Sequence, residues 1–153
     1  MIRSDLIKAI FDVSPQIGTD PLYAGNFRFH GKLTLFDPNM PVENRLQPKD
    51  LFGHCSSLSS ELQELLVSRG VHTKSSSSSN AHGNGHYFLQ TLNTEPQLFI
   101  DPTIGQFIKN YPFIYVGTRE ELKEMVLNAK KGGIVNTKSS RNPQEAFERI
   151  WGE

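Results

Sequence analysis

The chain has 153 residues, of which 37% are hydrophobic and 21% charged, and its 16 Lys and Arg side chains balance its 16 Asp and Glu side chains. This length and composition predict one soluble globular domain, spanning residues 1–153, with a sizeable core. They exclude the strongly basic kind of nucleic-acid-binding protein, and no apolar run is long enough for a transmembrane helix.

The first predicted element is a helix over residues 2–12, where apolar side chains recur at helical spacing until Pro15 ends the pattern. The same segment lacks the continuous apolar core and the cleavage site of a signal peptide, so we expect no secretory leader. Residues 16–50 are rich in Pro, Gly and Asn and are predicted to be mostly loop, with a short hairpin at 27–36 around His30.

A helix with a leucine stripe is predicted over residues 55–69, and Gly70 is its expected C-terminal stop. The polar stretch that follows, residues 73–85, contains a serine run together with Gly and Asn. Such a composition predicts a flexible surface loop.

A small antiparallel sheet is predicted in the second half of the chain. Residues 86–92 and 97–100 read as strands joined by a four-residue connection, which favours a hairpin. A further strand is predicted at 111–117. The order of helices and strands predicts an α+β fold whose core spans about residues 50–117.

Two helices are predicted after the sheet. Thr118 and Glu121 form a capping box that opens a helix through about residue 131, and Gly132-Gly133 ends it. Residues 143–151 form a short final helix with Pro in its first turn. The single Trp151 near the C-terminus is expected to close the core.

Cys55 is the only cysteine and stands at the predicted start of the leucine-striped helix. A single cysteine excludes an internal disulfide and a zinc site built from several thiolates. Unpaired N–H groups and the helix dipole stabilise an anion at a helix N-terminus, so a thiol there has a lowered pKa and is a better nucleophile. The alternative is a small buried hydrophobic residue without a chemical role.

His86 opens the first strand of the predicted hairpin and Asp101 follows the second, so we expect the two to be cross-strand neighbours. A carboxylate there can hold one imidazole nitrogen while the other faces a nucleophile. The structural alternatives are a strand histidine for His86 and a turn aspartate that bonds the backbone for Asp101. His54 adjoins Cys55, but adjacent side chains on an element point apart, so His54 is a poor general base.

The order of Cys55 at a helix start, His86 on a strand and Asp101-Pro-Thr after the next strand resembles the papain-like and transglutaminase-like cysteine enzymes. The stretch from HYFLQT to LFIDPTIGQF is most similar to the branch that contains the glutamine-deamidase domain of the Pasteurella mitogenic toxin and related bacterial effectors. The resemblance covers about residues 50–107. It implies a papain-like core in which a helix carrying the cysteine packs on a small antiparallel sheet carrying the histidine and the aspartate.

The resemblance makes Cys55, His86 and Asp101 the candidate catalytic residues. Gln106 and Phe107 match the end of the motif, where Gln106 would be a supporting residue for packing and loop shape.

The second oxyanion donor is not identified by the motif. By analogy with the upstream glutamine of papain-like enzymes, Gln47 and Asn44 are the candidates, and the alternative for both is a solvated loop residue. The chain departs from the family pattern after the nucleophile, where Ser56 replaces the usual aromatic residue.

The resemblance implies a glutamine deamidase of toxin or effector type that acts on a protein substrate. Proteolysis and transglutaminase-like acyl transfer are alternatives, and so is a non-catalytic interaction domain with a degenerate triad. The resemblance also implies a cytoplasmic location or delivery into a target cell, with a cognate inhibitor or immunity protein as a possible partner. We expect no cofactor and no metal site, because His72, His82 and His86 lack regular metal-ligand spacing.

Overall fold

The computed structural model describes residues 1–17, 55–78, 85–108, 111, 114–128 and 142–152. These residues contain both α-helices and β-strands, so the predicted α+β class is confirmed. The helices are α1 (Arg3–Val13), α2 (Cys55–Val67), α3 (Arg119–Leu127) and α4 (Pro143–Trp151). The strands are β1 (Thr73–Ser77), β2 (Tyr87–Thr91), β3 (Phe99–Asp101) and β4 (Tyr115–Gly117), and short 3-10 turns lie at Ser14–Gln16 and Ile104–Gln106.

The strands form one antiparallel sheet in the order β1-β2-β3-β4. The predicted hairpin of β2 and β3 is confirmed, with Leu89 opposite Ile100 and Gln90 opposite Phe99. Because side chains alternate along a strand, Leu89 and Ile100 lie on one face and Gln90, Phe99 and Phe88 on the other. The two faces are covered by different helices.

The prediction of a flexible loop over residues 73–85 is wrong for its first part, because Thr73–Ser77 forms β1. β1 pairs with β2 along its whole length. The serine run has no apolar face that would signal a strand, but main-chain hydrogen bonds to β2 stabilise it without one. Gln63 of α2 adds a hydrogen bond by donating to the Thr73 carbonyl at 3.0 Å. Residues 79–84 of the predicted loop lie outside the described residues.

Helices α1 and α2 pack on the face that carries Leu89 and Ile100, and both helices were predicted. We call this cluster the aliphatic layer. Its buried members are Leu6, Ala9, Ile10, Val13, Ile17, Leu58, Leu62, Leu66, Val71, Leu89, Leu98, Ile100 and Ile114.

Helices α3 and α4 pack on the opposite face, in a cluster that we call the aromatic layer. The predicted helix at 143–151 is confirmed, whereas α3 ends at Leu127 instead of residue 131, and β4 is shorter than the predicted 111–117. The buried members of the aromatic layer are Phe88, Phe99, Ile104, Tyr115, Leu122, Val126, Phe147, Ile150 and Trp151.

Two of the predicted helix caps, at Gly70 and Thr118, are present. Gly70 has a φ of 75°, the left-handed conformation that glycine adopts without a steric penalty. Around it, the Gly70 N–H bonds the Val67 carbonyl and the Val71 N–H bonds the Leu66 carbonyl, which is the Schellman arrangement. At the start of α3, the Thr118 hydroxyl accepts from the Glu121 N–H at 3.1 Å.

Several sequence predictions concern residues outside the described part of the chain. They are the hairpin at 27–36 with its surrounding loop, the stop at Gly132-Gly133, the neighbour His54 and the oxyanion candidates Gln47 and Asn44. Within the described ranges, no helix has the length and apolar character needed to cross a membrane.

Candidate active site

Asp101 is the last residue of β3 and is fully buried, at 0% exposure. Its Oδ1 accepts from the backbone N–H of Thr103 at 3.0 Å, so the carboxylate does bond the following turn. Its Oδ2 lies 2.7 Å from His86 Nε2 and accepts from the indole Nε1–H of Trp151 at 2.8 Å. Asp101 thus bonds the turn backbone through Oδ1, as a strand-ending aspartate does, and contacts His86 through Oδ2, as the cross-strand prediction expects.

His86 directly precedes β2 and is 4% exposed. The backbone fixes its position, because the His86 N–H donates to Ser78 Oγ and the Ser78 N–H donates to the His86 carbonyl, both at 3.0 Å. Extending the β2–β3 register places Asp101 opposite Phe88, so His86 is its diagonal neighbour on the same face. The expected proximity of His86 and Asp101 is confirmed.

Aromatic rings enclose the imidazole of His86. Phe88 stacks on it with ring centroids 5.9 Å apart, and Phe107 meets it edge-on at 4.8 Å. Trp151 approaches edge-on at 6.2 Å. This apolar surrounding strengthens the attraction between His86 and Asp101, because the local dielectric is low.

Cys55 is the first residue of α2 and is partly buried. Its thiol lies near the His86 side chain and the backbone of Tyr87, and both lower its pKa. Ser59, one turn further along α2, donates to the Tyr87 carbonyl at 3.3 Å and so ties the start of the helix to the start of β2. Because Asp101 occupies Nε2 of His86, the nitrogen left for the thiol is Nδ1.

The three groups shift one another's protonation. Burial raises the pKa of the Cys55 thiol, but the neighbouring His86 side chain and the Tyr87 backbone lower it by more, so the pKa lies below its ordinary value. Burial lowers the pKa of His86, but the charge of Asp101 and the hydrogen bonds to Asp101 and Cys55 raise it to about 9. The lowered thiol pKa and the raised imidazole pKa both favour the thiolate–imidazolium form of the pair over the neutral form.

Gln106, the supporting residue of the motif, lies against the imidazole. Its Nε2 is 3.4 Å from His86 Nδ1 and donates to Thr103 Oγ1 at 2.9 Å. Thr103 in turn binds Asp101 through its N–H. The turn after β3 thus contacts both members of the buried pair, which gives the Asp-Pro-Thr-x-x-Gln spacing a structural reason.

Trp151 is the site residue that sequence reasoning missed. The prediction that it closes the core is correct as far as burial is concerned, since it is 1% exposed. A buried indole N–H needs an acceptor, so the sequence contained a signal that Trp151 has a polar partner. The partner itself, Asp101, is distant in the chain and is brought close only by the packing of α4 on the sheet.

The described residues contain no group of three or more His, Cys, Asp and Glu side chains arranged to hold a metal ion. His72 is exposed, and His82 lies outside the described residues.

The fold and the site together define an α+β domain with a buried carboxylate–imidazole pair next to a thiol at a helix start. Comparison of the chain with protein-family models, with curated proteins and with solved structures finds no match. The functional argument therefore rests on the geometry of these side chains and on the motif that contains them.

Proposed function

We propose that this protein is a cysteine-dependent amide hydrolase with a papain-like or transglutaminase-like core, and that it deamidates glutamine side chains of a protein substrate. The observation that carries the proposal is the buried pair of Asp101 Oδ2 and His86 Nε2, 2.7 Å apart, with the Cys55 thiol near enough to the same imidazole that each group shifts the pKa of the other. Nucleophile, base and orienting carboxylate are the three groups that acyl transfer through a thiol requires.

In the proposed reaction, the Cys55 thiolate forms a C–S bond to the amide carbon and the carbonyl oxygen takes up the negative charge. Protonated His86 gives its proton to the leaving nitrogen as the C–N bond breaks, which releases ammonia and leaves a thioester. His86 then removes a proton from water, the water oxygen bonds the thioester carbon and the C–S bond breaks. The products are a carboxylic acid and the regenerated thiolate–imidazolium pair.

Asp101 keeps the imidazole in one orientation and stabilises its protonated form. The backbone N–H of Cys55 belongs to the first turn of α2, where amide groups have no acceptor within the helix, so we assign it the role of oxyanion donor. In other enzymes one such donor is worth about 3–4 kcal/mol of transition-state stabilisation.

The choice of a glutamine side chain rests on the motif around Asp101 and not on the chemistry of the site, because peptide hydrolysis and acyl transfer to an amine use the same groups. The resemblance to effector deamidases also supports delivery into a target cell and a cognate inhibitor protein as a partner. These are parts of the same proposal.

The first test is the rate of alkylation of Cys55 by iodoacetamide between about pH 5 and about pH 9, followed by intact-mass spectrometry. We expect rapid labelling well below pH 8 in the wild type and slow labelling in His86→Ala, because the imidazolium that stabilises the thiolate is lost. His72→Ala is the matched control, since His72 is exposed. A thiol that labels only after unfolding would contradict the proposal and favour a non-catalytic interaction domain.

The second test identifies the reaction. A candidate substrate protein incubated with the enzyme should gain about 1 Da per deamidated glutamine and release ammonia, and Cys55→Ala should do neither. Backbone fragments would indicate a protease, and incorporation of an added primary amine would indicate a transglutaminase-like enzyme.

A further inference from the structure

Trp151 and His86 share one carboxylate oxygen. The indole Nε1 donates to Asp101 Oδ2 at 2.8 Å, and His86 Nε2 lies 2.7 Å from the same atom. The other oxygen, Oδ1, accepts from the Thr103 N–H at 3.0 Å. The plane of the carboxylate is therefore fixed by Thr103 on one side and by Trp151 on the side that faces the imidazole.

Packing fixes the position of the Trp151 indole. The side chain is almost fully buried, and the centroid of its ring lies 6.0 Å from that of Phe147 and 5.7 Å from that of Phe107. Gly152 ends α4 directly after it, and a Cβ at this position would collide with the carbonyl oxygen of Glu148. The close approach of the backbone here thus requires a glycine next to Trp151.

We propose that Trp151 is a positioning residue of the site. Its indole N–H fixes Asp101 Oδ2 where that oxygen contacts His86 Nε2. The fixed carboxylate in turn sets the orientation of the imidazole toward Cys55. This proposal rests on the proposed function for its catalytic consequence, but its geometric claim can be tested separately. Without the indole donor, Asp101 Oδ2 keeps only its contact with His86, and only the Thr103 contacts on Oδ1 then fix the plane of the carboxylate.

A purely structural role for Trp151 predicts something different. In that case its removal would lower the stability of the α4 packing but leave the ionisation of Cys55 and His86 unchanged. The pH dependence of thiol reactivity therefore separates the two roles, whereas a loss of stability does not.

The test compares Trp151→Phe with Leu122→Ala. Trp151→Phe keeps an aromatic ring and removes the N–H, whereas Leu122→Ala removes fully buried packing from α3 in the same aromatic layer and keeps the indole with its ring contacts. We expect Trp151→Phe to move the midpoint of the alkylation profile to higher pH and to slow labelling below the midpoint about tenfold. Leu122→Ala should lower the melting temperature and keep the wild-type midpoint. An unchanged midpoint in folded Trp151→Phe overturns the proposal.

A second measurement uses the wild-type protein and is independent of whether the variant folds. The chain has a single tryptophan, so its indole gives one ¹H–¹⁵N resonance. We expect this proton to resonate downfield, to exchange slowly with solvent, and to shift as the Asp101–His86 pair titrates. An indole that exchanges rapidly or does not respond to pH overturns the proposal.

Failure of the proposed function gives a different pattern. In that case no amide substrate is deamidated, but the indole resonance and the His86 ring signals still report the hydrogen bond between Trp151 and Asp101.

Discussion

The two faces of the sheet are built from different chemistry. Among the described residues, the buried members of the aliphatic layer under α1 and α2 include no aromatic side chain, whereas the aromatic layer under α3 and α4 contains Phe88, Phe99, Tyr115, Phe147 and Trp151. Neighbouring strand residues point to opposite layers, so Ile100 packs with α2 while Asp101 points toward α4. Two adjacent residues of one strand therefore serve core packing and the candidate chemistry.

This difference assigns a separate task to each layer. The aliphatic layer holds α2 on the sheet and thereby places Cys55 beside His86. The aromatic layer surrounds the buried pair with rings that exclude water and, through Trp151, also donates a hydrogen bond. Aromatic side chains can do both because a large apolar surface and a polar atom occur in the same residue.

The largest expected effect comes from removing the charge in the aromatic layer. Asp101→Asn keeps the shape of the side chain and an acceptor for Trp151, but it no longer stabilises the imidazolium. We expect kcat/KM for the amide substrate to fall by about 10⁴-fold and the alkylation midpoint of Cys55 to rise. The matched control is Asp12→Asn, the same substitution on the surface of α1, where both quantities should stay within about twofold. Equal losses in the two variants would contradict the division between the layers.

In the aliphatic layer we expect a loss of stability without a change in chemistry. Leu62 is fully buried on α2, so Leu62→Ala leaves a cavity and should lower the free energy of unfolding by about 2–5 kcal/mol in urea titrations. Its alkylation midpoint should remain that of the wild type as long as the protein is folded. Leu127→Ala, on an exposed position of α3, is the control for a leucine truncation without a cavity. A shifted midpoint in Leu62→Ala would mean that core packing and thiolate stability cannot be separated.

Most of the frame around the site could be predicted from the sequence because its signals are local. Gly70 marks the end of α2, and the connection between β2 and β3, predicted to have four residues and observed as residues 92–98, sets the pairing that brings His86 near Asp101. Both depend on residues close together in the chain. The candidate triad could be proposed for the same reason, since helix start, strand start and strand end are readable positions.

The remaining contacts depend on tertiary packing. β1 consists of a polar segment whose strand conformation comes from its neighbour β2, so composition predicted a loop. Trp151 reaches Asp101 only because α4 packs on the aromatic face, and no local pattern encodes that packing. Gln106 was expected to shape a loop, and its position near His86 Nδ1 follows from the turn after β3.

The pH dependence of stability sharpens the comparison, because the titrating groups lie on the aromatic side. The pKa of His86 is raised to about 9 in the folded state, so its stabilising contribution is complete below about pH 6.5 and is lost as the pH rises to about 9. The pKa of Cys55 is lowered, so its contribution has the opposite sign: it grows as the pH rises toward the unfolded thiol value. The two contributions therefore oppose each other in the wild type as the pH rises from about 6.5 to about 9.

Removing the thiol should therefore expose the contribution of His86. We expect the free energy of unfolding of Cys55→Ala, measured by urea unfolding, to fall more steeply than that of the wild type between about pH 6.5 and about pH 9. The double variant Cys55→Ala/His86→Gln should lose this slope. A flat profile in Cys55→Ala would show that His86 is not protonated in the folded protein.

The smallest expected effect concerns the contact that joins the two layers at the edge of the sheet. Arg3 of α1 binds Glu121 of α3 through two hydrogen bonds of 2.7 Å and also donates to the Val116 carbonyl of β4 at 3.1 Å. The side chains are 43% and 46% exposed, so water and salt screen the pair. A double-mutant cycle with Arg3→Gln and Glu121→Gln should give a coupling energy below about 1 kcal/mol that shrinks in high salt.

Neither variant of this pair should move the alkylation midpoint of Cys55, because both charges lie at the surface and away from the buried carboxylate. The i,i+4 pair of Lys8 and Asp12 within α1 is the matched reference, since it has similar chemistry but joins no layers. If the Arg3–Glu121 coupling exceeds the reference by more than about 1 kcal/mol, or if the midpoint shifts, the layers are coupled through their edge. Independence of the midpoint would instead mean that the aromatic layer holds its charged pair by its own contacts, with Trp151 and Thr103 as the groups that orient it.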